Sequence, residues 1–374
     1  MIYLDYAATT PMSEEALYVY QEAARKFFAN PSSLHEAGTK AKEALEACRH
    51  AWADMLQVEP EGIFFTSGGT EANQLALQSL IEGNKEKGNH LVTTEIEHSS
   101  IYNLFEKYAS EGYEITYVPL TKDGQVDLQA LEKALRPSTI LVSIQTVNGE
   151  TGFIQPIEAI GSLLKEKGIL FHTDFVQGFG NVDVSINESS INSLSIASHK
   201  FHGPKGVGLT YIDPRVRWKQ QIPNTTHESG FRPGTVDVPS ILSFTKAGQE
   251  AVDHRERKQR KMLKLRRYFL EGLKQAGLDV TIYESKEAQL PQILGLSFGK
   301  LQGQYIMLEC NKYDIAISTG SACQVGKQSP SRTIRALGKT RDEANQLVRI
   351  SFGEATTFND LDRCIEVLTK IVKQ

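Results

Sequence analysis

Between residues 63 and 213, short runs of β-branched, aromatic and aliphatic residues alternate with helical patterns, and this alternation restricts the fold more than any other feature of the chain. The candidate strands are 63–66, 91–93, 115–118, 140–144, 169–172 and 208–212. Strands separated by helices pair in parallel, and a parallel sheet is covered on both faces. An α/β fold follows, in which ligands collect at the carboxyl ends of the strands. Thr66-Ser67-Gly68-Gly69-Thr70, Asp174 and Lys200 all fall at such ends.

The 374 residues exceed one ordinary core, so a large domain and a smaller one are expected. A helical pattern over 240–273 links them, and its crowd of Arg255, Arg257, Lys258, Arg260, Lys261, Lys264, Arg266 and Arg267 reads as a solvated helix face. Beyond it, 295–298 and 348–352 read as strands. Thr357-Phe358-Asn359-Asp360 reads as a capping box before a last helix with Leu361, Ile365 and Leu368 inward. This suits a smaller α+β domain. With 40% hydrophobic and 23% charged residues, and no apolar run near the roughly 18 residues of a membrane helix, a soluble protein with no membrane partner is expected. Met1-Ile2-Tyr3-Leu4-Asp5-Tyr6 carries neither a basic leader nor an apolar signal core, so a cytoplasmic location is expected. The net charge of −4 argues against direct nucleic-acid binding, leaving small molecules and proteins as partners.

Four cysteines, Cys48, Cys310, Cys323 and Cys364, are scattered without metal-ligand spacing, so no metal site is expected. Cys48 shares an apolar stripe with Ala41, Leu45 and Trp52, and Cys364 lies beside Ile365 and Leu368, so both read as core residues. Cys323 differs. It sits in Gly320-Ser321-Ala322-Cys323-Gln324-Val325-Gly326, followed by a polar, Pro-punctuated stretch, and reads as an exposed thiol on a loop.

Other residues suggest chemistry, each beside a plainer role. Gly68-Gly69-Thr70, before a helical pattern over 71–80, offers backbone N–H groups and a helix dipole to a phosphate, although glycines at such turns are also needed sterically. Asp174, with Gln177 one turn on, ends an apolar run. Its carboxylate can hold a proton on a pyridine nitrogen, or simply cap a helix. Lys200 can form a Schiff base and move a Cα proton, against the common fate of a solvated lysine. His98 can stack on a ring and move protons, or cap the helix it begins. Arg349 offers a fork to a carboxylate, or an ordinary ion pair.

Taken together, these motifs resemble a cysteine desulfurase of the NifS/IscS type, in the class-V aminotransferase family. The likeness runs from Tyr3-Leu4-Asp5-Tyr6-Ala7-Ala8-Thr9-Thr10-Pro11 through Thr66-Ser67-Gly68-Gly69-Thr70-Glu71-Ala72-Asn73, His199-Lys200, Arg232-Pro233-Gly234-Thr235 and Ser321-Ala322-Cys323 to Arg335-Ala336-Leu337-Gly338. The resemblance implies an aspartate-aminotransferase-like pyridoxal-phosphate fold of type I. A large domain over 15–255 would hold a mainly parallel seven-stranded sheet, and 1–14 with 256–374 would form the smaller α+β domain. It implies pyridoxal 5'-phosphate joined to Lys200, Asp174 on the pyridine nitrogen, Gln177 and Asn148 near the ring hydroxyl, and His98 on the ring face. Gly69, Thr70 and His199 would hold the phosphate, with Thr235 entering from the second subunit of a homodimer. Asn148 and Arg349 would take the carboxylate of L-cysteine. Cys323 would receive the sulfur as a persulfide and pass it to acceptor or scaffold proteins for iron–sulfur clusters, thio-cofactors or tRNA. The chain departs from the family pattern at Ala197, with Ser198 beside it, and at Gly149, Phe175 and Asn181. Phe175 is expected to narrow the site and slow turnover. The alternatives are a selenocysteine lyase, another lyase or aminotransferase of the family, and a silent dimeric scaffold.

Overall fold

The computed structural model describes residues 1–320 and 330–373. In chain order, β1 (Ile2–Tyr3), α1 (Glu14–Lys26) and α2 (Glu36–Leu56) precede β2 (Ile63–Thr66), α3 (Gly69–Asn84), β3 (His90–Thr93), α4 (Ser99–Ser110) and β4 (Glu114–Tyr117). Next come α5 (Leu128–Ala134), β5 (Thr139–Ser143), α6 (Ile157–Glu166), β6 (Leu170–Asp174), β7 (Ser193–Ala197), β8 (Gly208–Ile212), α7 (Val238–Asp253) and α8 (Arg255–Gln275). The remaining elements are β9 (Val280–Tyr283), β10 (Ile293–Phe298), α9 (Gly303–Asn311), β11 (Ile315–Ala316), α10 (Arg332–Ala336), α11 (Arg341–Asn345), β12 (Val348–Ser351) and α12 (Phe358–Val372).

Seven strands form one sheet in the order β2-β8-β7-β6-β5-β3-β4. Every neighbouring pair is parallel except the two involving β8, so β8 alone runs against the rest. Successive side chains of a strand face opposite ways, and the buried residues sort accordingly. Ile63, Phe65, Val92, Val142 and Phe171 pack in one core, while Phe64, Leu91, Leu141 and Ile212 pack in another on the opposite face. Both faces are thus covered, as the alternation of strands and helices predicts.

β7 was not among the expected strands because its sequence, Ser-Leu-Ser-Ile-Ala, carries serines where a buried strand usually carries aliphatic residues. All five residues are nevertheless buried. Ser193 Oγ lies 3.1 Å from Nδ1 of His172 on β6, so a polar pair within the sheet stands in for an apolar one. Burial pushes His172 down to about 3, which keeps the ring neutral.

A three-stranded antiparallel sheet, β12-β10-β9, carries a separate core with Phe298, Val348, Ile350, Phe269 and Leu368. Leu4 enters this core because β1 pairs in parallel with β11. The helical pattern over 240–273 is two helices, not one, meeting at His254 (φ −97°, ψ 0°). α7 buries Ile241, Phe244 and Ala247 in the first core, and α8 buries Met262, Leu265 and Phe269 in the second. The apolar stripe therefore changes direction, and the helix breaks where it does. Arg255 and Arg260 of α8 pair with Asp183 and Glu256, in keeping with a solvated face, but Arg266 departs from it: it is buried, donating to Ile293 O at 3.1 Å and to Glu284 at 2.6 Å. The Thr357 capping box is present, with Thr357 Oγ1 accepting from Asp360 N–H. Among the described residues no helix is long and apolar enough to cross a membrane.

One buried ion pair ties the sheet to the segment that follows β8. Glu228, with its side chain 2% exposed, accepts from Arg49 Nη2 at 3.0 Å and from the Phe65 N–H at 2.7 Å. Glu228→Ala would leave a guanidinium and a backbone donor buried without their acceptor, so the variant should lose about 3–5 kcal/mol of stability in chemical denaturation. A loss below about 1 kcal/mol would mean that the pair is replaceable by solvent. His172 makes a second prediction. Its folded value lies below the ordinary 6.5, so its contribution to stability is present above that pH and is lost as the pH falls toward 3. His172→Gln should therefore flatten the fall in melting temperature on acidification, and an unchanged slope would contradict a buried neutral ring.

Candidate active site

Five strands of the large sheet, β2, β3, β5, β6 and β7, end at one edge, and a cleft of about 1420 Å³ opens there. The turn after β2 supplies Gly68, Gly69 and Thr70; the turn after β3 supplies His98; the loop after β5 supplies Asn148; the end of β6 supplies Asp174 and Gln177; and the turn after β7 supplies His199 and Lys200. Arg349 of β12 closes the cleft from the second core. All of these expected residues therefore line one space. Thr235 is exposed and is not among the lining residues of its own chain. Cys323 lies outside the described residues, but Gly320 and Pro330, on either side of that segment, both line the cleft.

Asp174 is buried and receives two hydrogen bonds, from Asn73 Nδ2 at 2.8 Å and from the Val176 N–H at 3.0 Å. Because the Asn73 amide nitrogen donates to this carboxylate, its oxygen faces Nε2 of His172, 3.2 Å away. The neutral His172 ring therefore carries its proton on Nε2 and accepts from Ser193 through Nδ1. Asn73 Nδ2 also donates to Ser100 Oγ at 3.1 Å, and Ser100 Oγ lies 2.8 Å from His98 Nδ1. The Ser100 N–H can only donate, and it reaches the same Nδ1 at 3.2 Å. Nδ1 of His98 thus accepts from Ser100. His98 caps α4, as its plainer reading has it, and it also lines the cleft.

Lys200 Nζ donates to the backbone oxygens of Ala7 at 2.6 Å and Ala8 at 3.0 Å. Gln177 Nε2 donates to the same Ala7 oxygen at 2.9 Å. His199 is held down to about 4, first by burial and then by the nearby Lys200 and Lys205 cations, so it is neutral at neutral pH. Its Nδ1 lies 3.2 Å from Thr9 Oγ1. At the start of α3, Gly69 has no room for a side chain: a Cβ there would lie 2.9 Å from Val176 Cγ2. Arg349 donates to Gly149 O at 3.1 Å and to Asp5 Oδ1 at 2.7 Å, and its buried Nε has no hydrogen-bond partner among the described residues. The Asn148 side chain is fully engaged by the protein. Its oxygen accepts from Glu150, Thr151 and the Thr151 hydroxyl, and its nitrogen donates to Ile96 O and Thr333 Oγ1.

One expectation is corrected here, and one open point is closed. Phe175 does not narrow the cleft: it is buried in the first core against Phe179, and Val176 takes the lining position because Phe175 turns into the core after Asp174. Ser198 cannot stand in for a hydroxyl at Ala197, since it is fully buried against Gly203, away from the cleft that Ala197 lines. Gly149 leaves room for a larger residue, since a Cβ there would meet Gln177 only at an ordinary contact distance of 3.4 Å, and Asn181 Nδ2 donates to Gln177 O at 2.9 Å. Sequence reasoning gave no role to Asn73, Ser100, His172 or Asp5. For Asn73 the signal was there, four residues and about one helical turn after Gly69, on the same face of α3.

An anion-favouring helix start, a buried carboxylate with fixed donors, an amine and two imidazoles suit a flat, phosphate-bearing ring with a reactive carbonyl. Among the described residues no group of three His, Cys, Asp or Glu side chains could hold a metal ion. The family model for aminotransferase class-V matches residues 2–364. The putative cysteine desulfurase NifS of Bacillus subtilis (strain 168) is 48% identical over 376 residues, covering 100% of this chain and 95% of the relative. The cysteine desulfurase IscS of Clostridium botulinum (strain Kyoto / Type A2) is 37% identical over 375 residues, covering 100% of this chain and 94% of the relative. A solved structure described as a NifS-like protein superposes with a TM-score of 0.92 at 32% identity, covering 100% of this chain and 99% of that one. The family match and these full-length likenesses establish that this chain belongs to the class-V aminotransferase family, and within it to the NifS/IscS type.

Proposed function

We propose that the protein is a pyridoxal-phosphate-dependent cysteine desulfurase that takes sulfur from L-cysteine onto Cys323 and releases L-alanine. The observation that carries this reading is the convergence on one cleft of Lys200, Asp174, the Gly68–Thr70 turn and both flanks of the segment containing Cys323. The other three cysteines support it. Cys48, Cys310 and Cys364 are buried and line no part of the cleft, and burial pushes the first two up to about 11 and about 12. Such thiols are poor nucleophiles at neutral pH.

When bound, pyridoxal phosphate supplies an electron sink for charge developing at Cα of an amino acid. The residues that would hold it are Gly69, Thr70 and His199 at the phosphate, Asp174 at the ring nitrogen, Gln177 beside the ring, His98 over its face and Lys200 at its carbonyl. Asp174, fixed by Asn73 and the Val176 N–H, would keep a proton on that nitrogen. Arg349 would orient the substrate carboxylate, and its buried Nε, which has no partner among the described residues, is a donor suited to that task. Lys200 Nζ would take the proton from Cα and return one to the product. The Cys323 thiolate would attack the substrate sulfur, so that an S–S bond forms, the Cβ–S bond breaks, and Cβ gains a proton as alanine is made. Asn148 is better read as a brace for the loop after β5, since its amide is already engaged at both ends.

The domain division supporting this chemistry is a large unit over 15–255 and a small one formed by 1–14 and 256–374. Thr235, exposed on its own chain, would reach the phosphate of a second subunit in a homodimer. The persulfide would pass to a sulfur-acceptor protein in the cytoplasm. The test is to mix the purified protein with L-cysteine and a reductant and to quantify alanine and sulfide. Equal amounts of the two are expected. Cys323→Ser should cut sulfide release by on the order of 100-fold or more while leaving the cofactor's yellow colour, and Lys200→Ala should abolish both products. Alanine made at an undiminished rate by Cys323→Ser would favour a lyase that needs no persulfide. A colourless protein inert to cysteine would favour a silent scaffold.

A further inference from the structure

Glu71 is the third residue of α3, and it sets a carboxylate next to a turn suited to binding an anion. That position is electrostatically unfavourable for a phosphate unless the charge is cancelled. One oxygen, Glu71 Oε2, accepts from the Ser67 N–H at 2.5 Å and from Arg232 Nε at 2.7 Å. The first bond closes the turn from Ser67 to Glu71 and leaves the N–H groups at the start of α3 facing the cleft. The second neutralises the carboxylate. Arg232 is not itself among the lining residues.

The segment that brings Arg232 to Glu71 is held in a strained conformation. Glu228, Ser229 and Gly230 have φ of 47°, 52° and 85°, and the first two are residues that rarely adopt the left-handed region. Two contacts to β2 hold this segment in place. The Glu228 carboxylate binds Arg49 and the Phe65 N–H, and Phe231 stacks on Phe64 with ring centroids 4.6 Å apart. The strand that ends in the anion turn therefore also fixes the segment that cancels the charge beside that turn.

We propose that Arg232 is a positioning residue for the phosphate of the cofactor: by neutralising Glu71, it lets that carboxylate lock the Ser67–Glu71 turn without repelling the bound phosphate. The inference rests on reading the cleft as a pyridoxal-phosphate site. The test is the binding of pyridoxal phosphate and of pyridoxal, which lacks the phosphate, to protein stripped of cofactor, followed by absorbance and fluorescence. The variants are Arg232→Gln, Arg232→Lys, Glu71→Gln and the double variant Arg232→Gln/Glu71→Gln. Arg232→Gln should weaken pyridoxal phosphate on the order of tenfold and pyridoxal by no more than about twofold, while Arg232→Lys, which keeps the cation, stays within about threefold of the parent. The double variant should regain most of the loss, because removing the carboxylate removes the need for its partner. A double variant no better than Arg232→Gln, or equal weakening of both ligands, would overturn the proposal and leave Arg232 a structural residue. A parent protein that binds pyridoxal as tightly as pyridoxal phosphate would instead overturn the cofactor reading, and this inference with it.

Discussion

A carboxylate inside a parallel sheet is tolerated only where donors meet it, and Asp174 is the group around which the cleft is arranged. Its two donors come from different places, the Val176 N–H just beyond β6 and the Asn73 amide on α3. Asn73 reaches it because α3 begins at Gly69, where contact with Val176 excludes any side chain. The same residue then hands its remaining bonds to His172 and to Ser100, and Ser100 holds His98. A buried network of this kind is rigid when every member is satisfied and costly when one is missing. One string of hydrogen bonds thus sets the carboxylate, the start of α3 and the orientation of the His98 ring together.

The N-terminal segment joins the two cores through the same cleft. Leu4 lies in the second core, and Asp5 pairs with Arg349. The next residues turn to the large sheet, where the Ala7 and Ala8 oxygens receive Lys200, and Thr9 and Thr10 contact His199. The first ten residues therefore hold the Lys200 amine, the His199 imidazole and the Arg349 guanidinium in one frame. The Asp5–Arg349 pair also orients the guanidinium in advance, so that in its proposed role toward a substrate carboxylate it would have less side-chain freedom left to lose on binding.

Much of this was legible in the sequence. The alternation of apolar runs with helical patterns marks six of the seven strands of the large sheet, because a strand buried on both faces reads as a continuous apolar run. β7 broke that rule: Ser193 is buried by pairing with His172, a partner contributed by another strand and invisible to any local pattern. The break at His254 escaped notice for a related reason, since the helical period continues through it and only the direction of the buried face changes. At the site, residues at strand ends were found from their position, whereas Asn73, Ser100 and Asp5 act through partners distant in sequence. The expectation for Phe175 came from its departure from the family pattern, which does not reveal that the chain turns after Asp174, sends Phe175 into the core and gives the lining place to Val176.

The thiols sharpen the chemical argument. A sulfur acceptor must ionise near neutral pH, reach a substrate in the cleft and then present its sulfur to a second molecule. Cys48 fails on all counts: it sits in the core beside Trp52, and burial raises its thiol to about 11. Cys310 and Cys364 pack together in the second core, where the desolvation that stabilises packing suppresses the thiolate. Three of the chain's four cysteines are therefore committed to cores by the same burial that makes them unreactive. The fourth, Cys323, belongs to a polar stretch of the sequence whose described flanks, Gly320 and Pro330, both border the cleft, which is why the proposed sulfur acceptor is this thiol and not one committed to a core.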